Sequence, residues 1–372
     1  MIYFLFIASF VSALLMYELF MNEKNKVYFI YLFYFFVILT AIAVGLRGNE
    51  DEYSKFYYSF GLSDLFHDRD IKKEFIFRLI VGFYRDYSIP PQFIYITFSS
   101  IAVIIYGVYY RKFTAFYYLA FLFYLSMQIF NREFSGLRLG FASMLVLPMI
   151  HYIHEKKFKK FTFIYLLSFL IQYVSVLSFL LLFLNKKFKA TTLIFTIFIA
   201  LLSYYSGAIE ALITFIKELG YLPLIVERYI SSKTYSYDIG LYNFKLIQQL
   251  LLFFCFIILS SKFDVNFGKG AQYQNLIVNT YFLSIILMII FSSYAIFAFR
   301  FAAHFASVEA IFITYFVWFF RQKRFVVISM SFLLLVISYI NYIVLERLTN
   351  YELFLHTSCD CLSSWCQRCV SN

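Results

Sequence analysis

Charge is scarce in this chain. Of its 372 residues, 14% are Asp, Glu, Lys or Arg and 62% are hydrophobic; a soluble domain has about 25% and 45–50%. A globular core cannot hide that much apolar surface, so a water-soluble fold is excluded and the solvent is lipid. Proline is nearly missing, with 4 in the whole chain, so long helices meet few obligatory breaks. The first apolar run, Ile2 to Phe20, lacks a basic leader and a small-residue cleavage site, and reads as a span instead of a cleaved signal. No internal repeat of the transporter kind is found. Cysteine is almost confined to a polar tail from Tyr351, where Cys359, Cys361, Cys366 and Cys369 are spaced C-x-C-x4-C-x2-C. That spacing imitates a zinc knuckle, but thiols outside the cytoplasm oxidise, so the tail reads as an appendage and no metal is assigned. Cys255, inside a span, reads as packing.

What is abundant is aromatic: 52 Phe and 34 Tyr, most of which face acyl chains or form interfacial belts. The net charge of +11 comes from basic residues scattered between apolar runs. Such loops report topology and exclude a nucleic-acid partner.

Apolar runs long enough to cross ~30 Å of hydrocarbon fall at 2–20, 27–46, 91–110, 114–130, 136–153, 190–206, 241–260, 276–294, 301–320 and 325–345. These predict an all-α, polytopic transmembrane bundle of about ten spans over residues 1–348, followed by the tail 349–372. The run 161–184 is interrupted by Gln172, Ser175 and Ser178. Read as one span, it splits the basic knots between two sides. Read as a half-helix hairpin turning near Gln172–Val174, it puts Lys24/Lys26, Arg111/Lys112, Lys156 to Lys160, Lys186 to Lys189, Lys262/Lys269 and Arg321 to Arg324 on one side, the cytoplasm. A turn at membrane depth needs protein or a water-filled cavity around it, so Gln172 is expected to line a cavity. The outer face then carries the long loops 47–90 and 207–240, with an interfacial helix at 75–87.

Arginines gather where helices meet that outer face: Arg47, Arg132, Arg138 and Arg300. Each alone could be a snorkelled anchor. Four on one face form an anion cradle, because the guanidinium fork grips phosphate as Lys cannot. Acids sit beside them: Asp51 and Glu52 after Arg47, and Glu133 after Arg132. They are either a solvated surface or a general base toward a hydroxyl. His304 shares a helix face with Arg300 and reads as an interior group or a ligand contact. Glu309 points nearly opposite and is expected to pair with another helix. Gly136 and Gly140, four apart, permit close approach of a helix or headgroup.

Gly45-Leu46-Arg47-Gly48 with Asp51-Glu52-Tyr53, then Lys73-Glu74-Phe75, Ser135 to Ala142 and Phe299 to Phe305, together resemble motifs of bacterial O-antigen and exopolysaccharide polymerases (Wzy-type, EpsG-like). The resemblance spans about 1–345. Where that family usually has His then Ser at the mid-membrane turn, this chain has Gln172-Tyr173-Val174-Ser175, and an amide does not titrate. The resemblance implies a glycan on undecaprenyl pyrophosphate as donor and another as acceptor, membrane lipid around them, and a chain-length regulator protein as a partner. It also implies a bacterial inner membrane with the site facing the periplasm. Arg47, Arg132, Arg138 and Arg300 would hold the pyrophosphate with His304 and Gln172 nearby; Asp51 or Glu52, with Glu133 second, would act as base. No cofactor is implied. Two rivals are a metal-dependent polyprenyl-phosphate-sugar glycosyltransferase, using Asp68/Asp70 or Glu50 to Glu52, and a lipid-linked oligosaccharide flippase.

The hairpin sets the parity of everything after it. Reporter fusions after Lys112, Lys160, Lys189 and Lys323 are expected to read cytoplasm, and one after Asp68 periplasm. A periplasmic reading after Lys189 would remove the hairpin and invert the later half.

Overall fold

In a computed structural model the described residues are 10–12, 26–45, 75–90, 92–134, 136–219, 237–262, 270–320 and 328–340. The run 2–20, apart from helical 10–12, lies outside them, as do Arg47, Asp51, Glu52 and the tail.

All regular structure among the described residues is helical. In chain order the helices are α1 (Lys26–Gly45), α2 (Phe75–Asp86), α3 (Phe93–Phe113), α4 (Tyr117–Phe123), α5 (Leu137–His154), α6 (Phe158–Ile171), α7 (Ala190–Tyr205), α8 (Ala208–Glu218), α9 (Phe244–Lys262), α10 (Ala271–Ile290), α11 (Ala295–Trp318) and α12 (Ile328–Ile340). Five of them, α1, α3, α5, α10 and α11, are long and apolar enough to cross a membrane, and a sixth span arises if α7 and α8, bent by 58°, count as one. This corrects the expectation of about ten. Among the described residues the other apolar runs are helical but short or broken. Residues 114–130 become α4 followed by π-helical turns at Tyr124–Gln128 and Phe130–Phe134. A hydropathy window sums composition and is blind to such interruptions.

α10 and α11 are the most enclosed of these spans together with α5, whereas α1 exposes most of its surface. Exposed Tyr31, Phe35 and Ile38 on α1, and Phe195, Phe198 and Leu202 on α7, form an apolar outer surface of the kind only lipid covers. Cys255 is exposed on α9, correcting its reading as a packing residue: with a thiol on the outer face of a helix, lipid takes the place of protein neighbours. Inward, polar side chains tie helices together. Ser100 Oγ on α3 donates to the Ala41 carbonyl of α1 at 2.7 Å, and Tyr118 of α4 donates to the Phe29 carbonyl at 2.6 Å.

The run 161–184 is a hairpin. α6 ends at Gln172, whose backbone is extended (φ −149°, ψ 117°), and a 3-10 helix follows over Tyr173–Phe183. Tyr165 donates to the Val176 carbonyl and Ser168 bonds to Ser175, so the two arms run antiparallel. At ~1.5 Å per residue for α and ~2.0 Å for 3-10, each arm covers roughly 21–22 Å, too little to cross hydrocarbon. Its far end is fastened to α10, where Asn279 donates to the carbonyls of Leu184 and Lys186, both at 2.7 Å.

Glu309 meets the expectation of a partner on another helix: Lys245 of α9 donates to its carboxylate at 2.7 Å. Glu309 is 2% exposed and Lys245 36%. Removing one partner of a buried ion pair strands the other charge, at about 3–5 kcal/mol, while replacing both is near neutral. Lys245→Met is therefore expected to lower resistance to denaturing detergent, and Lys245→Met with Glu309→Leu to restore most of it. Equal losses in single and double variants would count against the pair.

Candidate functional site

The two π-helical turns after α4 widen the backbone just where Arg132 and Glu133 emerge; π-bulges concentrate at functional sites. α5 is able to pack on this turn because residue 140 is glycine. A Cβ there would stand 2.6 Å from the Arg132 carbonyl oxygen, inside contact distance of backbone that cannot swing away. The glycine predicted for close approach thus receives the arginine turn.

Arg132 is 5% exposed. Its Nη1 donates to the Tyr106 hydroxyl of α3 at 2.6 Å and its Nη2 to the Ala303 carbonyl of α11 at 3.0 Å. Its guanidinium also stands 5.9 Å from the Tyr106 ring centroid. A snorkelled anchor reaches out to headgroups; this side chain is clamped between two helices by the fork only Arg has. Tyr106 in turn lies 3.4 Å from Ser143 Oγ.

Next to Ala303 is His304, fully buried, with Nε2 2.7 Å from Ser178 Oγ. Ser178 comes from the 3-10 arm of the hairpin. In a 3-10 helix residues i and i+3 eclipse, so Ser175 and Ser178 share one edge, directly after Gln172. Ser175 holds Ser168 at 2.8 Å, and Ser178 holds His304. Gln172 is 6% exposed, buried at the break.

Glu133 is fully buried and couples electrostatically to the hydroxyls of Tyr106, Tyr110 and Tyr124. Those three rings pack with centroids 4.6 to 6.2 Å apart. Gln128 donates to the Ala306 carbonyl at 3.2 Å. Around this centre the Tyr110 hydroxyl, Gln128 Oε1, Gln172 Oε1, His304 Nδ1 and Ser307 Oγ are buried with no hydrogen-bond partner among the described residues. Native interiors satisfy nearly all such atoms, so their concentration here marks polar capacity that a hydroxyl-rich group can use.

The structure therefore brings together Arg132, Glu133 and His304, with Gln172 at the root of the arm that holds His304. Arg138 is elsewhere on α5, half-buried, its guanidinium 5.4 Å from the Phe77 ring of α2. Arg300 is half-buried one turn before His304. Arg47, Asp51 and Glu52 fall outside the described residues.

A family model described as EpsG family matches residues 30–357. The chain belongs to the EpsG family. The match runs from α1 past α12 and so includes every candidate residue above. No curated protein and no solved structure matches the chain. EpsG membership, with the apolar helices, makes this a membrane protein with a polysaccharide-polymerase-like role.

Sequence reasoning missed Tyr106 and Ser178. Tyr106 is one of 34 tyrosines and carries no local mark. Ser178 had one: Gln172, Ser175 and Ser178 are spaced by three, the 3-10 period. Ser178→Ala would leave the buried His304 Nε2 without its partner, costing about 1–3 kcal/mol. The unfolding transition in detergent is expected to fall accordingly, while Ser206→Ala, at an exposed position on the end of α7, leaves it unchanged. No shift for Ser178→Ala would dissolve the Ser178–His304 contact.

Proposed function

We propose that this EpsG-family protein polymerises undecaprenyl-pyrophosphate-linked oligosaccharide repeat units into O-antigen, capsular or exopolysaccharide at the periplasmic face of a bacterial inner membrane. The observation that carries the reading is Arg132, a guanidinium clamped between α3 and α11 beside Glu133 and the hairpin-held His304. Charge fixed at a low-dielectric site before reaction is the usual means of stabilising a departing oxyanion.

The acceptor is the sugar hydroxyl of one lipid-linked unit, and the donor carbon is C1 of the other chain. The hydroxyl oxygen bonds to C1 as the C1–O bond to pyrophosphate breaks. The hydroxyl proton passes to a carboxylate, Asp51 or Glu52 with Glu133 as second choice, and the lipid pyrophosphate leaves as an anion. Arg47, Arg132, Arg138 and Arg300 balance its charge through charge-assisted hydrogen bonds.

Anchoring requires a positive charge, which Lys supplies; gripping pyrophosphate requires the planar fork, which Lys lacks. Arg132→Lys, Arg138→Lys and Arg300→Lys are expected to insert normally yet lose polymerisation, each by ~10²–10³ in rate, as when one oxyanion donor is removed. Arg111→Lys is the matched control and retains it. The measurement is the ladder of polysaccharide chain lengths at equal expression. Full ladders from all three site variants would end the assignment.

A further inference from the structure

A second charged feature lies away from the polymerase-like site, at the turn joining α5 to α6. The chain reverses within three residues, Glu155 to Lys157, with Lys156 in the left-handed region (φ 56°). That reversal lays the first turn of α6 beside the last turn of α5 and opens a cleft of about 400 Å³, lined by Tyr152, Lys159, Lys160, Phe163 and Ile164.

Four lysines and one acid occupy residues 155–160, and the acid is engaged. Glu155 takes the Lys157 ammonium and lies 3.0 Å from His151 Nε2. The Lys157 hydrogen bond and then His151 hold its carboxyl below the usual range. The charge of Lys159 and Lys160 is thus not cancelled within the turn. Lys160 Nζ is held 5.7 Å from the Tyr152 ring centroid, at the cleft wall.

Below the lysines the wall becomes apolar and faces outward. Phe163 is 67% exposed and Leu166, three residues on, 48%, a stripe that continues down α6 toward the hairpin. Lysines at the rim, an aromatic beside them and an apolar track beneath reproduce the profile of one lipid: an anionic head, a glycerol region and an acyl chain. A solvated basic turn would need neither the cleft nor the track.

We propose that this cleft binds an anionic glycerophospholipid, its phosphate between Lys159 and Lys160 and an acyl chain along Phe163 and Ile164. The lipid braces α6, the arm that carries Ser168 and ends at Gln172. The site is independent of the polymerisation reading and stands or falls without it.

The test is native mass spectrometry of the purified full chain titrated with dioleoylphosphatidylglycerol or dioleoylphosphatidylcholine. Two lysines at an anionic surface each contribute roughly five-fold, so phosphatidylglycerol is expected to bind on the order of 25-fold more tightly than phosphatidylcholine. Lys159→Gln with Lys160→Gln should erase that preference, and Phe163→Ser should weaken both lipids. Lys186→Gln with Lys187→Gln, which do not line the cleft, should keep it. Equal binding of the two lipids by the wild type, or an undiminished preference in the Lys159/Lys160 variant, would overturn the proposal.

Discussion

Hydrocarbon offers backbone no hydrogen bonds, and that single constraint organises the whole molecule. Among the described residues the apolar runs become helical because only the helix satisfies its own amides and carbonyls. Where the helix stops inside the bundle, at Gln172, the chain needs substitutes. A 3-10 turn supplies some, with the Ser175 amide donating to the Gln172 carbonyl at 3.0 Å. Side chains brace it further: Tyr165 donates to the Val176 carbonyl, and the Ser168 hydroxyl bonds to Ser175 Oγ at 2.8 Å. The break is tolerated because α5 and α11 wrap it in protein, and the same wrapping delivers Ser178 to His304.

Burying charge in such a medium is expensive unless it is paired, and this chain uses two solutions. Glu309 takes a direct counter-ion from Lys245. Arg132 is held by a tyrosine hydroxyl and a carbonyl, dipoles that orient the guanidinium without cancelling its charge. Glu133, the residue after Arg132, is itself fully buried. Both arrangements place buried charge on or against α11.

Several of these features are written in composition and spacing. The apolar runs announce the helices, and the basic knots on either side of Phe161–Leu184 demand that it fold back. Gly140 signals close approach, and Glu309 in an apolar helix demands a partner. The span count is less legible, because the π turns within 114–134 depend on how α4 packs beside α3 and α11 and leave no trace in hydropathy. Cys255 misled for a related reason: in a lipid-solvated helix an apolar residue fits both faces equally well.

The sequence by itself determined that this is an all-helical membrane protein, with a broken segment at Gln172 and arginines at the ends of apolar runs, because hydrophobicity and charge act locally and leave periodic marks. Tertiary structure alone decided what Arg132 and Arg138 touch. In the sequence Arg132, Arg138 and Arg300 are alike in residue type and in lying at the ends of apolar runs. The first is gripped by Tyr106 and the Ala303 carbonyl, 26 and 171 residues away, and the second lies against Phe77. Contacts at that separation follow from how helices pack, through residues such as Gly140 that matter only for the space they leave, and no local pattern encodes the partner across such a gap.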